Sequence, residues 1–292
     1  MTGSSLKELS TGQNDSPFKL AFPKTPPMTV AVGAICDHGK TVIVAADQLI
    51  TFPVLNLHIE GTLSKIVPLT TQVVAVLTGV IPEANEILIL ARPRIEALGN
   101  HPAVEKVVEA VRQTYENVKR QRVERLILRP YLGIDFPMFQ QMVATSPQTS
   151  ILQQIAVEIT KHNLGVDILI AGVSNGTAHL FGVGNPGEIW RYDIYGCAAL
   201  GVGMSYSIGR FAMAQHAMTD ALPTALYTAY EAKKSAEAAP GVGKLTQIKV
   251  ITATGSKDVS QQLLDKLEEI HQRKPILSPA DITAIQTAYA SS

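Results

Sequence analysis

The chain has 292 residues, 46% of them hydrophobic and 17% charged, with 25 basic side chains balanced by 25 acidic ones. That is enough apolar material for one large core or two modest ones, and the balanced charge removes the electrostatic case for a nucleic-acid or anionic-membrane partner. The two cysteines, Cys36 and Cys197, make neither a disulfide framework nor a zinc site, and a reducing cytoplasm is the expected compartment.

Residues 1–28 are polar and proline-containing, with no apolar segment of the kind a secretory signal needs. They are expected to be a flexible leader, a propeptide or the product of an upstream start, with a single domain over 29–292. From Val30 onward, alternating apolar residues and the run Thr41 to Ala46 flank Asp37-His38-Gly39-Lys40, which predicts a β-hairpin. A second hairpin is expected over 66–77, around Thr70-Thr71. Helices follow. Residues 82–98 start with Pro and an acid, as first turns do. Residues 102–128 place Val104, Val108, Val111, Tyr115 and Val118 on one stripe. The basic run Lys119 to Arg125 continues that helix and reads as a solvated face. Residues 129–149 look like an irregular insertion, and 151–161 like a further short helix.

The second half repeats this order without repeating the sequence. Strands are expected at 166–172, 178–183, 189–192 and 198–200, helices at 205–218 and 223–238, then a strand at 247–251. Two helices close the chain, the last capped by Ser278 with Pro279 at its first position. Helices gathered in blocks, rather than alternating with strands, argue for an α+β sandwich over a doubly wound parallel sheet. Two packed sheets with a helix pair on each outer face would give a four-layer αββα domain.

The familiar catalytic patterns are missing: there is no HExxH, CxxC, GxSxG or GxxxxGK[ST]. The stretch Pro240 to Lys244 lacks the Ser or Thr of a phosphate loop and reads as a helix C-terminus. No metal or cofactor is called for. What remains is an ordered set. Thr29 opens a strand; Asp47 ends the run Ala45-Ala46-Asp47; Lys65 precedes Ile66 at the mouth of another strand; Gly79 sits where a strand gives way to a helix.

In this order the set resembles the proteasome β-subunit family, which includes the proteolytic subunit of the bacterial two-ring ATP-dependent protease. The matching motifs are "TVAVG", "AAD", the Lys-Ile pair and the pre-helix glycine, with the family's spacing from Lys65 to Gly79. The Thr29-to-Asp47 interval is slightly longer, which the turn at His38-Gly39-Lys40 absorbs. "VDILIAGVSNGTAHLFGV" and "AALGVG" resemble later strands and a glycine turn of the family. The resemblance implies an N-terminal nucleophile hydrolase cleaving peptide or amide bonds. Thr29 would be the nucleophile with its own α-amine as base, Lys65 would stabilise the alkoxide, Asp47 would hold Lys65, and the Gly79 amide would face the oxyanion. Ser205, one residue beyond the family's place for it after the glycine turn, would support the amine, and Glu237 is the acid nearest the family's helix-side position. Ile50, Leu63, Leu77 and Ile81 would line an apolar substrate pocket, and the subunits would form a homo-oligomer, possibly a ring, acting on peptides or proteins. The alternative is a non-catalytic assembly subunit of the same fold. Met28-Thr29 is a favourable context for removal of an initiator methionine, which would leave Thr29 first.

Overall fold

The computed structural model describes residues 29–52, 57–61, 63–146, 149–273 and 277–291. The expectation for the leader before Thr29 lies outside these residues. The first hairpin is β1 (Val30–Cys36) and β2 (Thr41–Asp47), both buried along their whole length. A smaller hairpin follows, β3 (Leu49–Phe52) with β4 (Leu57–Glu60). Next come β5 (Ile66–Pro68), β6 (Val73–Gly79), and the helices α1 (Ile81–Glu96) and α2 (Val104–Val123). After a further helical stretch, described below, the chain runs through β7 (Val166–Ser174), β8 (Thr177–Gly184), β9 (Glu188–Arg191) and β10 (Cys197–Gly201). It then forms α6 (Met204–Met213), α7 (Leu222–Ala236), β11 (Thr246–Thr252), β12 (Gly255–Asp258), α8 (Gln261–Arg273) and α9 (Pro279–Ser291).

The strands form two five-stranded sheets, ordered β10-β1-β2-β11-β12 and β5-β6-β7-β8-β9. Every pairing in them is antiparallel. The fold is therefore α+β. Side-chain alternation divides the apolar residues of each sheet between two faces. Ala31, Ile35, Val42 and Val44 of the first sheet pack with Val74, Val76, Leu169 and Leu180 of the second. The opposite face of the first sheet, with Val30, Val32 and Ile43, packs against α6, α7, α8 and α9 through Phe211, Leu226, Leu263 and Ile285. The opposite face of the second, with Ala75, Leu77 and Ile168, packs against α1 and α2 through Ile87, Val108 and Tyr115. Among the described residues no helix is long and apolar enough to cross a membrane.

Residues 129–149 differ from expectation. Their described part is largely helical rather than irregular: α2 runs through a π-helical turn at Glu124–Leu128 into α3 (Arg129–Leu132), followed by α4 (Phe136–Thr145) and α5 (Ser150–Lys161). Pro130 and Pro137 look like helix breakers, but Pro137 sits in the first turn of α4, where a missing N–H leaves no bond unmade, and Pro130 directly follows the π-helical turn within the continuous run. Asp135 caps α4 by accepting from the Met138 amide at 2.9 Å. These helices share a small core of Val123, Ile127, Leu128, Phe139, Leu152 and Ile155. The basic run in α2 is only partly solvated, since Arg122 reaches across to Glu83 and Glu86 of α1 at 2.8 and 2.5 Å.

Candidate active site

The N-terminal end of β1 places Thr29 at one end of the space between the sheets, where it is 3% exposed. Gly79, the last residue of β6, donates its amide to Thr29 Oγ1 at 3.3 Å. Gly79 has φ +85, and a Cβ there would lie 1.9 Å from the Gly165 carbonyl oxygen, so both the conformation and the space require glycine. On the other side, Gly201 (φ +89) ends β10, and a Cβ there would come within 2.3 Å of the Thr29 carbonyl oxygen and 3.3 Å of Oγ1. Thr29 is thus held between two glycine turns that end strands of different sheets.

Asp47 organises the rest. It ends β2 fully buried, as is Lys65. One carboxylate oxygen accepts from the Val30 amide at 3.0 Å, directly after Thr29. The other accepts from Lys65 Nζ at 2.8 Å, and from the amides of Leu49 and Gly243, each at 3.1 Å. Buried ionic groups persist only when paired and hydrogen-bonded in this way. Burial lowers the Lys65 ammonium below its ordinary range, and Asp47 opposes that shift by charge and by hydrogen bond. Lys65 is also tied to β6, because the Leu77 amide donates to its carbonyl at 2.9 Å. A buried lysine paired with Asp47, with the Glu60 charge also acting on it, supplies a fixed positive charge, and with a lowered pKa it also exchanges a proton more readily than a surface lysine.

The structure adds residues that sequence reasoning did not single out. Lys233 of α7 is fully buried and donates to Glu237 at 2.6 Å and to the carbonyls of Gly243 and Lys244, both at 2.8 Å. It clamps the loop whose Gly243 amide reaches Asp47, and its own pKa is lowered, chiefly by burial. The available signal was spacing: Ala225, Ala229 and Lys233 lie four apart on one helix face, whose alanines are fully buried. Pro240 to Lys244, read as a helix end, thus also supports the acid through Gly243. Glu237 serves this clamp, pairing with Lys233 and with Lys234 at 3.1 Å.

Thr29, Asp47, Lys65 and Gly79 come together. Ser205 does not join them: it is exposed on the first turn of α6, because that helix directs its buried side chains, Ser207 and Phe211, the other way. The position directly after the glycine turn is Met204, which has no hydroxyl and is itself exposed. The four proposed pocket residues also separate. Leu77 is 2% exposed and belongs to the core under α1 and α2, with Ile81 packed against the same cluster. Strand alternation explains this, since Leu77 shares the helix-facing side of β6 with Val73 and Ala75. Ile50 is half-buried on β3 and Leu63 is 43% exposed just before Lys65. Among the described residues, no group of three or more His, Cys, Asp or Glu is placed to hold a metal ion. Neither a scan of protein-family models nor a search of curated proteins finds a match for this chain.

Proposed function

We propose that the chain is an N-terminal nucleophile hydrolase of the proteasome β-subunit type, a four-layer αββα sandwich whose Thr29 cleaves peptide or amide bonds. The observation that carries this reading is the Asp47 carboxylate, which binds the amide next to Thr29 with one oxygen and the buried Lys65 with the other, while the Gly79 amide meets Thr29 Oγ1. The three apolar clusters, one between the sheets and one on each outer face, support the four-layer description.

The chemistry requires the Met28–Thr29 bond to be cut, which frees the Thr29 α-amine. A primary α-amine titrates near ~8, close to neutral pH, and the neighbouring Lys65 charge disfavours its protonation. Oγ1 attacks the carbonyl carbon and its proton passes to the amine. The carbonyl oxygen becomes the oxyanion, which accepts from the Gly79 amide; one such donor is worth about 3 kcal/mol of transition-state stabilisation. The tetrahedral intermediate collapses, the C–N bond breaks, and the departing amine takes the proton. Water, deprotonated by the same α-amine, then hydrolyses the Thr29 ester.

The residue-binding pocket is assigned to the Lys65 side of Thr29, at half-buried Ile50 and the partly exposed Leu63. Burying a substrate side chain against them contributes about 1.5–3 kcal/mol, and a charged one would lose its hydration there. The experiment is a panel of short fluorogenic peptides, varied at the residue before the scissile bond and offered to protein that begins at Thr29. The expected result is hydrolysis, with Leu or Phe preferred over Asp or Arg by about tenfold or more. Preference for a charged residue there would remove Ile50 and Leu63 from the pocket, and no hydrolysis of any peptide would remove the hydrolase reading. One observation favours the second reading, a non-catalytic assembly subunit of this fold: the residue after the glycine turn is Met204 in place of a hydroxyl, with Ser205 exposed.

A further inference from the structure

A cavity of about 410 Å³ adjoins Thr29 on the side away from Lys65, lined by Asp167, Trp190, Tyr192, Leu200, Val202 and Met204 together with Gly201. Strand order sets the two sides. In the first sheet β1 lies between β2, which carries Asp47, and β10, which ends at Gly201. In the second, β6 ends at Gly79 between β5, which follows Lys65, and β7, which carries Asp167. Asp167 is one residue from Val166, the partner of Gly79 in the ladder, and its carbonyl accepts from Thr78 Oγ1 at 2.7 Å. The cavity is therefore linked to Thr29 through Gly201, where a Cβ would come within 3.3 Å of Oγ1.

Its walls are specific. Gly182 and Gly184 leave a bare strand surface on β8, over which aromatic rings and an acid lie. A Cβ at Gly184 would meet Asp167 Oδ1 and the Trp190 ring, and one at Gly182 would meet Trp190 and Tyr192. Asp167 is the only charged residue in the lining. Burial alone raises its carboxyl above the ordinary range, and among the described residues no basic side chain pairs with it. A partly buried carboxylate flanked by π faces, with no cation of its own, matches an incoming cation that the ring faces and the acid both attract.

We propose that this cavity binds a basic group of the substrate, a guanidinium or an ammonium, on the opposite side of the scissile bond from Lys65. The position relative to the bond rests on reading Thr29 as the nucleophile; the choice of a cation rests on the cavity alone. Binding is tested without cleavage. Trp190 is the chain's only tryptophan, so its fluorescence reports occupancy directly. The full chain is titrated with Nα-acetyl-arginine methylamide and with the citrulline analogue, which keeps the shape and loses the charge. The arginine probe is expected to give a saturable change, with the citrulline probe about tenfold weaker or more. Asp167→Asn, close to isosteric, is expected to erase the difference while leaving the melting temperature near that of the parent. Equal binding of the two probes, binding of neither, or an unchanged preference in Asp167→Asn would overturn the proposal. Charge-selective binding by a chain that hydrolyses no peptide would leave this pocket standing and remove the hydrolase reading instead.

Discussion

Thr29→Ala is expected to abolish peptide hydrolysis and leave the fold intact. The substitution removes the hydroxyl and one methyl. In the structure Oγ1 meets only the Gly79 amide among the described groups, at 3.3 Å, so losing it leaves one weakly held donor without a partner and costs about 1 kcal/mol of stability. The effect on turnover is of another order. Without the hydroxyl there is no atom to form the ester, and the α-amine, Lys65 and the Gly79 amide act on nothing. Peptide turnover by Thr29→Ala should fall to background, while its thermal midpoint stays within a few degrees of the parent. Undiminished activity would show that the nucleophile is elsewhere.

Asp47→Asn is expected to damage activity and stability together. The carboxylate takes four donors: the amides of Val30, Leu49 and Gly243, and the Lys65 ammonium. An amide side chain turns one acceptor oxygen into a donor and removes the charge that holds Lys65. A fully buried lysine is then left without its counter-ion, and breaking one side of such a pair typically costs about 3–5 kcal/mol. Lys65→Met should be milder on folding, because Asp47 keeps three amide donors and methionine fills the space without bringing a charge. Both variants should lose nearly all activity, the first because Lys65 is no longer oriented and the second because it is gone. Urea unfolding with parallel peptide assays separates the two effects. If Lys65→Met were less stable than Asp47→Asn, Lys65 rather than Asp47 would be the anchor of the network.

The sequence made much of this legible because apolar periodicity is local. The strands β1, β2, β6, β7 and β8 and the helices α1, α2 and α7 follow directly from alternation or helical stripes. Thr29, Asp47, Lys65 and Gly79 were visible because each sits at the end or the mouth of such a strand. The parts that were not legible depend on partners distant in sequence. The β3–β4 hairpin and β12 are built from strands of four residues, too short for alternation to stand out. Residues 129–149 hid their helices behind Pro130 and Pro137, of which the first follows the π-helical turn and the second sits at a helix start. Leu77 and Ile50 look alike as apolar residues near the site, and only the face each presents separates a core residue from a half-buried one. Lys233 was hidden beside Lys234 in a basic stretch; one is fully buried against the Gly243 loop, while the other pairs with Glu237 and Glu268.

The central claim is that Thr29 works as a free N-terminus, and the mass of the chain isolated from its own cells tests it most directly. The account predicts that active protein begins at Thr29, whether by removal of Met28 as an initiator or by excision of residues 1–28. Its specific activity should rise with the fraction of chains so cut. Protein that begins at Met1 or Thr2, contains no chain starting at Thr29 and still hydrolyses peptides would contradict it.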